Sequence, residues 1–371
     1  MPANPRKKEF RVGLIGGGIG RQHMIGYVRL PGLFRVATMC DLDLARAESV
    51  AALSPGCTTT PDIDIVLADP GIDIVDVCLP PSLHFAVSMR ALKAGKHVIC
   101  EKPLAGSIEQ ADQLEKAAKK AGKVMAPVFQ YRFGSGFSRL RRLIDTGVAG
   151  KPLVASVETQ WHRGADYYDL AWRGSWEGEL GGAVLGHAIH NHDLLEEYFG
   201  PVRKVAAFTS TRVNDIAIED CASIALEMVS GASAVSSVTL GAANDITRFR
   251  FCFANLTAES GLQPYNPAAD EWRFTARPPM KQAVIDKVIA GVGPEAEGFA
   301  GFFAELHKSL TGQKSRAVTI ADGKRSMQLV SAIYESGRTG KFVRLPIRRT
   351  DPLYKGWAPK RAARKVAARK R

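Results

Sequence analysis

No apolar run in the 371 residues approaches the ~18 needed to cross a bilayer. The start offers no secretory signal either, because Met1 to Glu9 is basic and lacks an apolar stretch. Cysteines are few, and Cys40, Cys57, Cys78, Cys100, Cys221 and Cys252 contain no C-x-x-C pair; several fall inside apolar runs, where a thiol packs as a small hydrophobe. Reduced core thiols and a cytoplasmic address are expected. Internal repeats are lacking. Acids are missing from the last twelve residues, which hold seven basic ones (Lys360, Arg361, Arg364, Lys365, Arg369, Lys370 and Arg371) and so more than half of the formal net charge of +13. The body is left mildly basic. That argues against a dedicated nucleic-acid surface and leaves weak nonspecific binding of polyanions to a solvated tail.

What the chain does have is length and apolar content, 46% hydrophobic, enough for two packed domains. Its organising stretch is His97-Val98-Ile99-Cys100-Glu101-Lys102-Pro103-Leu104. A short β-rich run stops at an acid, a base and a proline, which puts Lys102 at the carboxyl end of a strand, the edge where ligands bind in an open α/β sheet. The bland alternative is a lysine that only pairs with Glu101.

Upstream, Phe10 to Gly20 reads F-R-V-G-L-I-G-G-G-I-G, an apolar strand entering glycines, followed by a helical stretch. Such glycines let backbone approach a pyrophosphate, whose charge the helix N-terminus stabilises. The spacing departs from G-x-G-x-x-G: Gly16 and Gly18 fit the first two places, but the sixth is Arg21, and the nearest glycine, after Ile19, is Gly20. A second strand, Phe34 to Cys40, ends at Asp41, about 20 residues on, where a carboxylate can bond the adenosine ribose. An acid there favours NAD over NADP, although Arg46 keeps NADP open. Asp41 could instead cap a helix over 44–53.

The rhythm continues: a helix after Asp62, a strand over 74–79 closing on Leu79-Pro80-Pro81-Ser82-Leu83-His84, a helix to Ala94, the Lys102 strand, a helix over 107–121 and a strand over 124–129. Alternation of this kind predicts a doubly wound parallel sheet over 10–129, after a basic extension over 1–9. Beyond it the period changes. Ala222, Ile224, Leu226 and Met228 share one face, as do Phe249, Phe251 and Phe253, predicting an α+β domain over 130–346 with a large open, mostly antiparallel sheet. Residues 347–371 form the terminal segment.

Three of the eight histidines crowd into Gly186-His187-Ala188-Ile189-His190-Asn191-His192-Asp193. At helical spacing His190 neighbours Asp193, and a carboxylate on one imidazole nitrogen makes the other a better base. A zinc site lacks a matching motif, and no metal is expected.

With the glycine loop, Asp41, Pro80-Pro81-Ser82-Leu83-His84, the Glu101-Lys102-Pro103 run and the Gly181 to Asp193 stretch, the chain resembles the glucose-fructose oxidoreductase/inositol 2-dehydrogenase (Gfo/Idh/MocA) family over roughly residues 10 to 346. The resemblance implies a Rossmann domain, a C-terminal α/β domain, homodimers or homotetramers through its sheet, and hydride exchange between NAD or NADP and a ring hydroxyl or ketone of a sugar, sugar acid or cyclitol. It implies catalytic roles for Lys102 and His190, and helical spacing adds Asp193 beside His190. Cofactor contacts then fall to Gly16, Gly18, Ile19, Gly20, Asp41, Leu79, Pro80, Pro81, His84, Glu101 and Lys102. Substrate contacts fall to Arg132, Arg163, Tyr167, Trp172, Arg173, His187 and His190, with Arg163 suited to a carboxylated sugar. The family often has an aspartate four residues before the histidine and a glycine two before; Gly186 and Ala188 stand there, leaving Asp193 or His187 to serve a proton relay. Two rivals are a redox-neutral enzyme that cleaves a glycosidic bond through transient oxidation and a nonenzymatic nucleotide sensor or nucleic-acid binder using the basic tail.

Overall fold

A computed structural model describes residues 9–359; the basic stretches before and after, including the tail assigned to polyanion contacts, lie outside the described residues. The chain divides into two compact units, the first reaching to Ala105 and adding Gln110–Ser138 and Gly293–Lys324, the second made of Gly106–Glu109, Arg139–Val292 and the residues from Arg325 on.

In the first unit β1 (Phe10–Ile15), α1 (Gly17–Val28), β2 (Phe34–Cys40), α2 (Leu44–Ala51), β3 (Thr58–Thr60), α3 (Ile63–Ala68), β4 (Ile74–Val77), α4 (His84–Lys93), β5 (His97–Cys100), α5 (Ile108–Ala121) and β6 (Met125–Pro127) follow one another. The strands form one parallel sheet in the order β3-β2-β1-β4-β5-β6, the doubly wound arrangement whose direction reverses between β1 and β4. Helices cover both faces of such a sheet, which is why its inner strands are mostly apolar: Val12, Leu14, Ile74, Val75 and Ile99 are completely buried.

The second unit begins within α6 (Ser135–Asp145) and continues through β7 (Pro152–His162), α7 (Trp176–Glu179), a π-helical turn (Val184–Ala188) and α8 (Ile189–Phe199). Then come β8 (Val202–Ser210), β9 (Cys221–Met228), β10 (Ser233–Thr239), β11 (Gly241–Phe253), β12 (Leu256–Glu259), β13 (Arg273–Ala276) and α9 (Gln282–Ala290). Period-two alternation produces an eight-stranded sheet, β13-β12-β11-β7-β10-β9-β8-β14, antiparallel except where β10 lies parallel to β7. Its inner face packs on α8, where the Asn191 amide donates to Thr159 Oγ1 at 2.6 Å and His192 Nε2 lies 2.9 Å from Ser236 Oγ. Its other face leaves Val154, Phe208 and Val235 exposed.

Helix α10 (Gly298–Leu310) belongs to the first unit, although it falls inside the stretch 130–346 expected to form the second domain. Phe303 stacks on Tyr27 of α1 with ring centroids 3.8 Å apart, and a Cβ on Gly26 would stand 2.9 Å from Phe299 and Phe303. Close packing of these two helices, rather than chain order, sets the boundary. Last come α11 (Ile320–Thr339) and the short β14 (Val343–Arg344), which pairs with β8. The segment after β14 folds back on the second unit: Ile347, Leu353 and Tyr354 pack with Ile108, and the indole of the buried Trp357 donates to the Leu180 carbonyl at 2.7 Å. Leu180 has φ 65°, a left-handed conformation rare for a branched side chain.

Candidate active site

Parallel register aligns the strand ends of the first unit. Ile15 of β1 pairs with Cys40 of β2 and with Val77 of β4, and Val77 pairs with Cys100 of β5. The residues that follow each strand, Gly16, Asp41, Cys78-Leu79 and Glu101-Lys102, therefore stand side by side along one carboxyl edge.

Each glycine of the loop has its own reason. Gly16 has φ 97°, and a Cβ there would sit 2.3 Å from the Cys78 carbonyl oxygen. At Gly18 no atom lies within 4 Å of the Cβ position, so the first turn of α1 stays open to a ligand. Gly20 faces Cys78 and Leu14 at 3.5 Å, ordinary contact, and is the glycine on the sheet side. Asp41 does not cap α2; Asp43 does, accepting from Arg46 N. The Asp41 carboxylate accepts from Gly17 N at 2.6 Å and from Asp43 N at 2.9 Å, and lies 3.6 Å from the half-exposed Arg46 guanidinium. An open helix N-terminus beside a fixed carboxylate fits a dinucleotide.

Beneath this edge is a buried ionic cluster that the sequence analysis missed. His23 is fully buried; its Nδ1 lies 2.8 Å from Asp76 Oδ2 and its Nε2 3.0 Å from Glu101 Oε1. Tyr27 donates to Asp76 at 2.8 Å, and Cys78 Sγ is 3.3 Å from Nδ1. Burial opposes a charge on His23, but Asp76 and Cys78 outweigh it and raise the pKa well above the usual imidazole value. The imidazolium thus donates to two carboxylates, and Glu101 uses its other oxygen to accept the Lys102 N-H at 3.1 Å. His84 is fully buried as well, with ring nitrogens 2.6 Å from the Pro103 carbonyl and 2.7 Å from that of Leu79, tying the β4 and β5 ends together. Arg132 is buried 3.2 Å from Asp322 and over Phe129.

Replacing His23 by Leu keeps the volume but strands two buried carboxylates. A loss of about 3–5 kcal/mol is expected, a fall of roughly 10 °C in melting temperature. The sign with pH follows from the raised pKa. His23 contributes fully below its unfolded value near 6.5 and loses the contribution as pH climbs through the folded value, so the gap between wild type and variant narrows on the alkaline side. Melting curves from pH 6 to 10 test it; a constant gap contradicts a charged His23.

In the second unit, the Gly181-Gly182 turn leads into the π-helical turn with His187 and then α8 with His190 and Asp193, all buried. Around His187 stand the edge of Trp161, ring centroids 5.2 Å apart, and the Tyr167 hydroxyl, 3.3 Å from Nε2. Arg173 lies 3.8 Å over the Tyr167 ring and 4.3 Å over Trp172, bonds the Tyr167 hydroxyl and pairs with Glu179 at 3.1 Å. Arg163 sits over Trp161 and Tyr167, pairs with Asp245 at 3.0 Å and donates to Tyr265 at 2.9 Å. The structure thus gathers Arg163, Tyr167, Trp172, Arg173 and His187 into one aromatic and cationic wall. Asp245, Tyr265 and Glu179 belong to it too, and nothing in their local sequence pointed there. At Gly186 no atom lies within 4 Å of a Cβ position, so the site where the family often carries an aspartate retains room for a side chain.

A glycine turn, an acid after the second strand and a lysine after the fifth, all on the carboxyl edge of a 3-2-1-4-5-6 parallel sheet, define a dinucleotide-binding oxidoreductase fold. A model of the oxidoreductase family with the NAD-binding Rossmann fold (Gfo/Idh/MocA) matches residues 10–129, and one of the Gfo/Idh/MocA C-terminal domain matches residues 137–259. The chain belongs to this family: it is an oxidoreductase, and its cofactor is NAD. The 1,5-anhydro-D-fructose reductase of Ensifer adhaerens is 26% identical over 348 residues, 89% of this chain and 97% of the relative. The inositol 2-dehydrogenase of Rhodococcus erythropolis is 36% identical over 149 residues, 40% of this chain and 43% of the relative. Several other curated relatives are matched over 60% to 66% of their own length. Among solved structures, the WlbA dehydrogenase of Chromobacterium violaceum, in complex with NADH and UDP-GlcNAcA, superposes with a TM-score of 0.82 at 26% identity, over 94% of this chain and 99% of that one.

Proposed function

We propose that the protein is a dehydrogenase exchanging a hydride between NAD and a ring hydroxyl or ketone of a sugar, sugar acid or cyclitol, with NADP a poorer substitute. The observation that carries the reading is the alignment of Gly16, Gly18, Asp41 and Lys102 on one sheet edge. Gly16 to Gly20, Asp41 and the Leu79 to Pro81 turn would hold the dinucleotide, and Glu101 and His84 fix the backbone that carries Lys102 and Pro103. When bound, NAD supplies a nicotinamide carbon able to accept a hydride. His190 takes the substrate hydroxyl proton. The Lys102 ammonium stabilises negative charge that develops in the transition state. Trp161, Tyr167 and Trp172 offer faces for a sugar ring, and the Arg163–Asp245 pair offers adjacent donors and acceptors for ring hydroxyls. Because Arg163 and Arg173 each already face a carboxylate, neutral polyols are favoured over carboxylated sugars at this wall. Residues 10–129 act as cofactor domain and most of 130–346 as substrate domain, with the exposed sheet face bearing Val154, Phe208 and Val235 serving a homodimer or homotetramer.

The test is a spectrophotometric screen of sugars, sugar acids and cyclitols with NAD and NADP beside a Lys102→Ala control. Substrate-dependent accumulation of reduced cofactor is expected. Turnover of a glycoside without such accumulation replaces the reading by the redox-neutral one. Asp41→Ala removes the ribose acceptor and leaves Arg46 without that neighbour, so KM for NAD rises at least about tenfold while KM for NADP changes little. Equal losses with both cofactors refute the role given to Asp41.

A further inference from the structure

We propose that Glu219 is a positioning residue for the helix that carries His187 and His190, acting through the first turn of that helix together with Tyr334. The inference rests on the reading of His190 as the proton acceptor. A helix begins with N-H groups that have no partner within it, and a Ser, Thr, Asp or Asn at its start commonly supplies one. Here Ala183 stands at the cap and supplies none. Glu219, just before β9, takes over that task. Its Oε2 accepts Gly182 N at 3.0 Å, its Oε1 accepts Val184 N at 2.9 Å, and its own carbonyl accepts Ala183 N at 2.8 Å. Three successive N-H groups thus converge on one residue that lies far away in sequence.

Tyr334 of α11 completes the anchor. Its hydroxyl donates to Glu219 Oε1 at 2.9 Å and lies 3.1 Å from Gly182 N. The glycine pair is what admits both groups: a Cβ on Gly182 would lie 1.8 Å from the Glu219 carbonyl oxygen, and one on Gly181 would lie 2.3 Å from the Tyr334 hydroxyl. Glu219 and Tyr334 are both buried. Burial lifts the Glu219 carboxyl to about 7, against the bonds from Val184, Tyr334 and Gly182 that favour its charged form. A carboxylate at this end also complements the helix dipole. The π-helical turn starts at Val184, one of the anchored residues, so the rotation of the helix, and with it the direction of both imidazoles, is set from Glu219.

Glu219→Gln preserves the shape but removes the charge and one acceptor oxygen, and Tyr334→Phe removes a single donor. For Glu219→Gln we expect kcat to fall about tenfold with KM for NAD and the NADH affinity from fluorescence titration unchanged, and amide exchange over residues 181–190 to quicken at least threefold. Tyr334→Phe should show the same pattern in milder form, and Glu219→Asp should restore part of the lost turnover. A lowered melting temperature with wild-type kcat per folded enzyme in both variants overturns the proposal, as does unchanged amide exchange. Should Glu219→Gln not fold, Tyr334→Phe decides by the same readings. Failure of the underlying reading is distinct, since His190→Asn would then itself leave kcat intact.

Discussion

Replacing His190 by Asn lowers kcat by about 10²–10⁴-fold while NADH affinity stays within about twofold, the expected result of removing a positioned general base. Asn keeps much of the imidazole's size and polarity, which matters because His190 is buried on α8 amid packed residues. Its neighbours on that helix already have tasks: Asn191 bonds Thr159 and His192 meets Ser236 on the sheet. Those two side chains are held against the sheet, and the role proposed for His190 is tested by its own substitution. Steady-state rates with the substrate found in the screen, together with a fluorescence titration of NADH, separate turnover from cofactor binding. A variant that turns over at the wild-type rate removes His190 from the mechanism.

Lys102→Met should cost about 10²–10³ in kcat, the usual penalty for deleting a preorganised donor aimed at developing charge. Met retains the apolar stem, so packing at the end of β5 is preserved and the loss reports on the ammonium. Preorganisation comes from below: the His23 imidazolium fixes Glu101, and Glu101 holds the Lys102 backbone N-H. Lys102→Arg, which keeps a charge of different shape, should recover only part of the rate. If Met at 102 leaves kcat within twofold, the strand-end lysine is structural.

The alternation of strands and helices in residues 10–129 was legible, apart from the edge strand β3, because its elements are local and the inner strands are mostly apolar; β3 is Thr58-Thr59-Thr60, with no apolar run to mark it. The acid at 41 and the lysine at 102 were legible for a related reason, since a strand end followed by a charged residue marks the carboxyl edge. Residues 295–310 read as helical from their sequence, but the partner of helix α10 did not show there. Phe299 and Phe303 announce an apolar face, and only the close approach at Gly26 says that the face lies against α1. The His23 cluster and Glu219 stayed hidden for a different reason. Neither His23 nor Glu219 lies in a motif of its own, and the meaning of each lies in partners brought together from distant parts of the chain. No periodicity reports a π-helical turn or an acid that caps a helix from another element.

The closure of the Leu180 turn by Trp357 has a bearing on biosynthesis. The indole that occupies the Leu180 carbonyl is encoded 177 residues later, and the Tyr334 hydroxyl beside Gly182 is 152 residues away. Contacts of such separation form late, after the intervening chain has been made. A nascent polypeptide that has emerged only as far as β11 already contains both imidazoles and Glu219, yet lacks Tyr334 and Trp357, so the anchor of the turn is completed only when those later residues have been made.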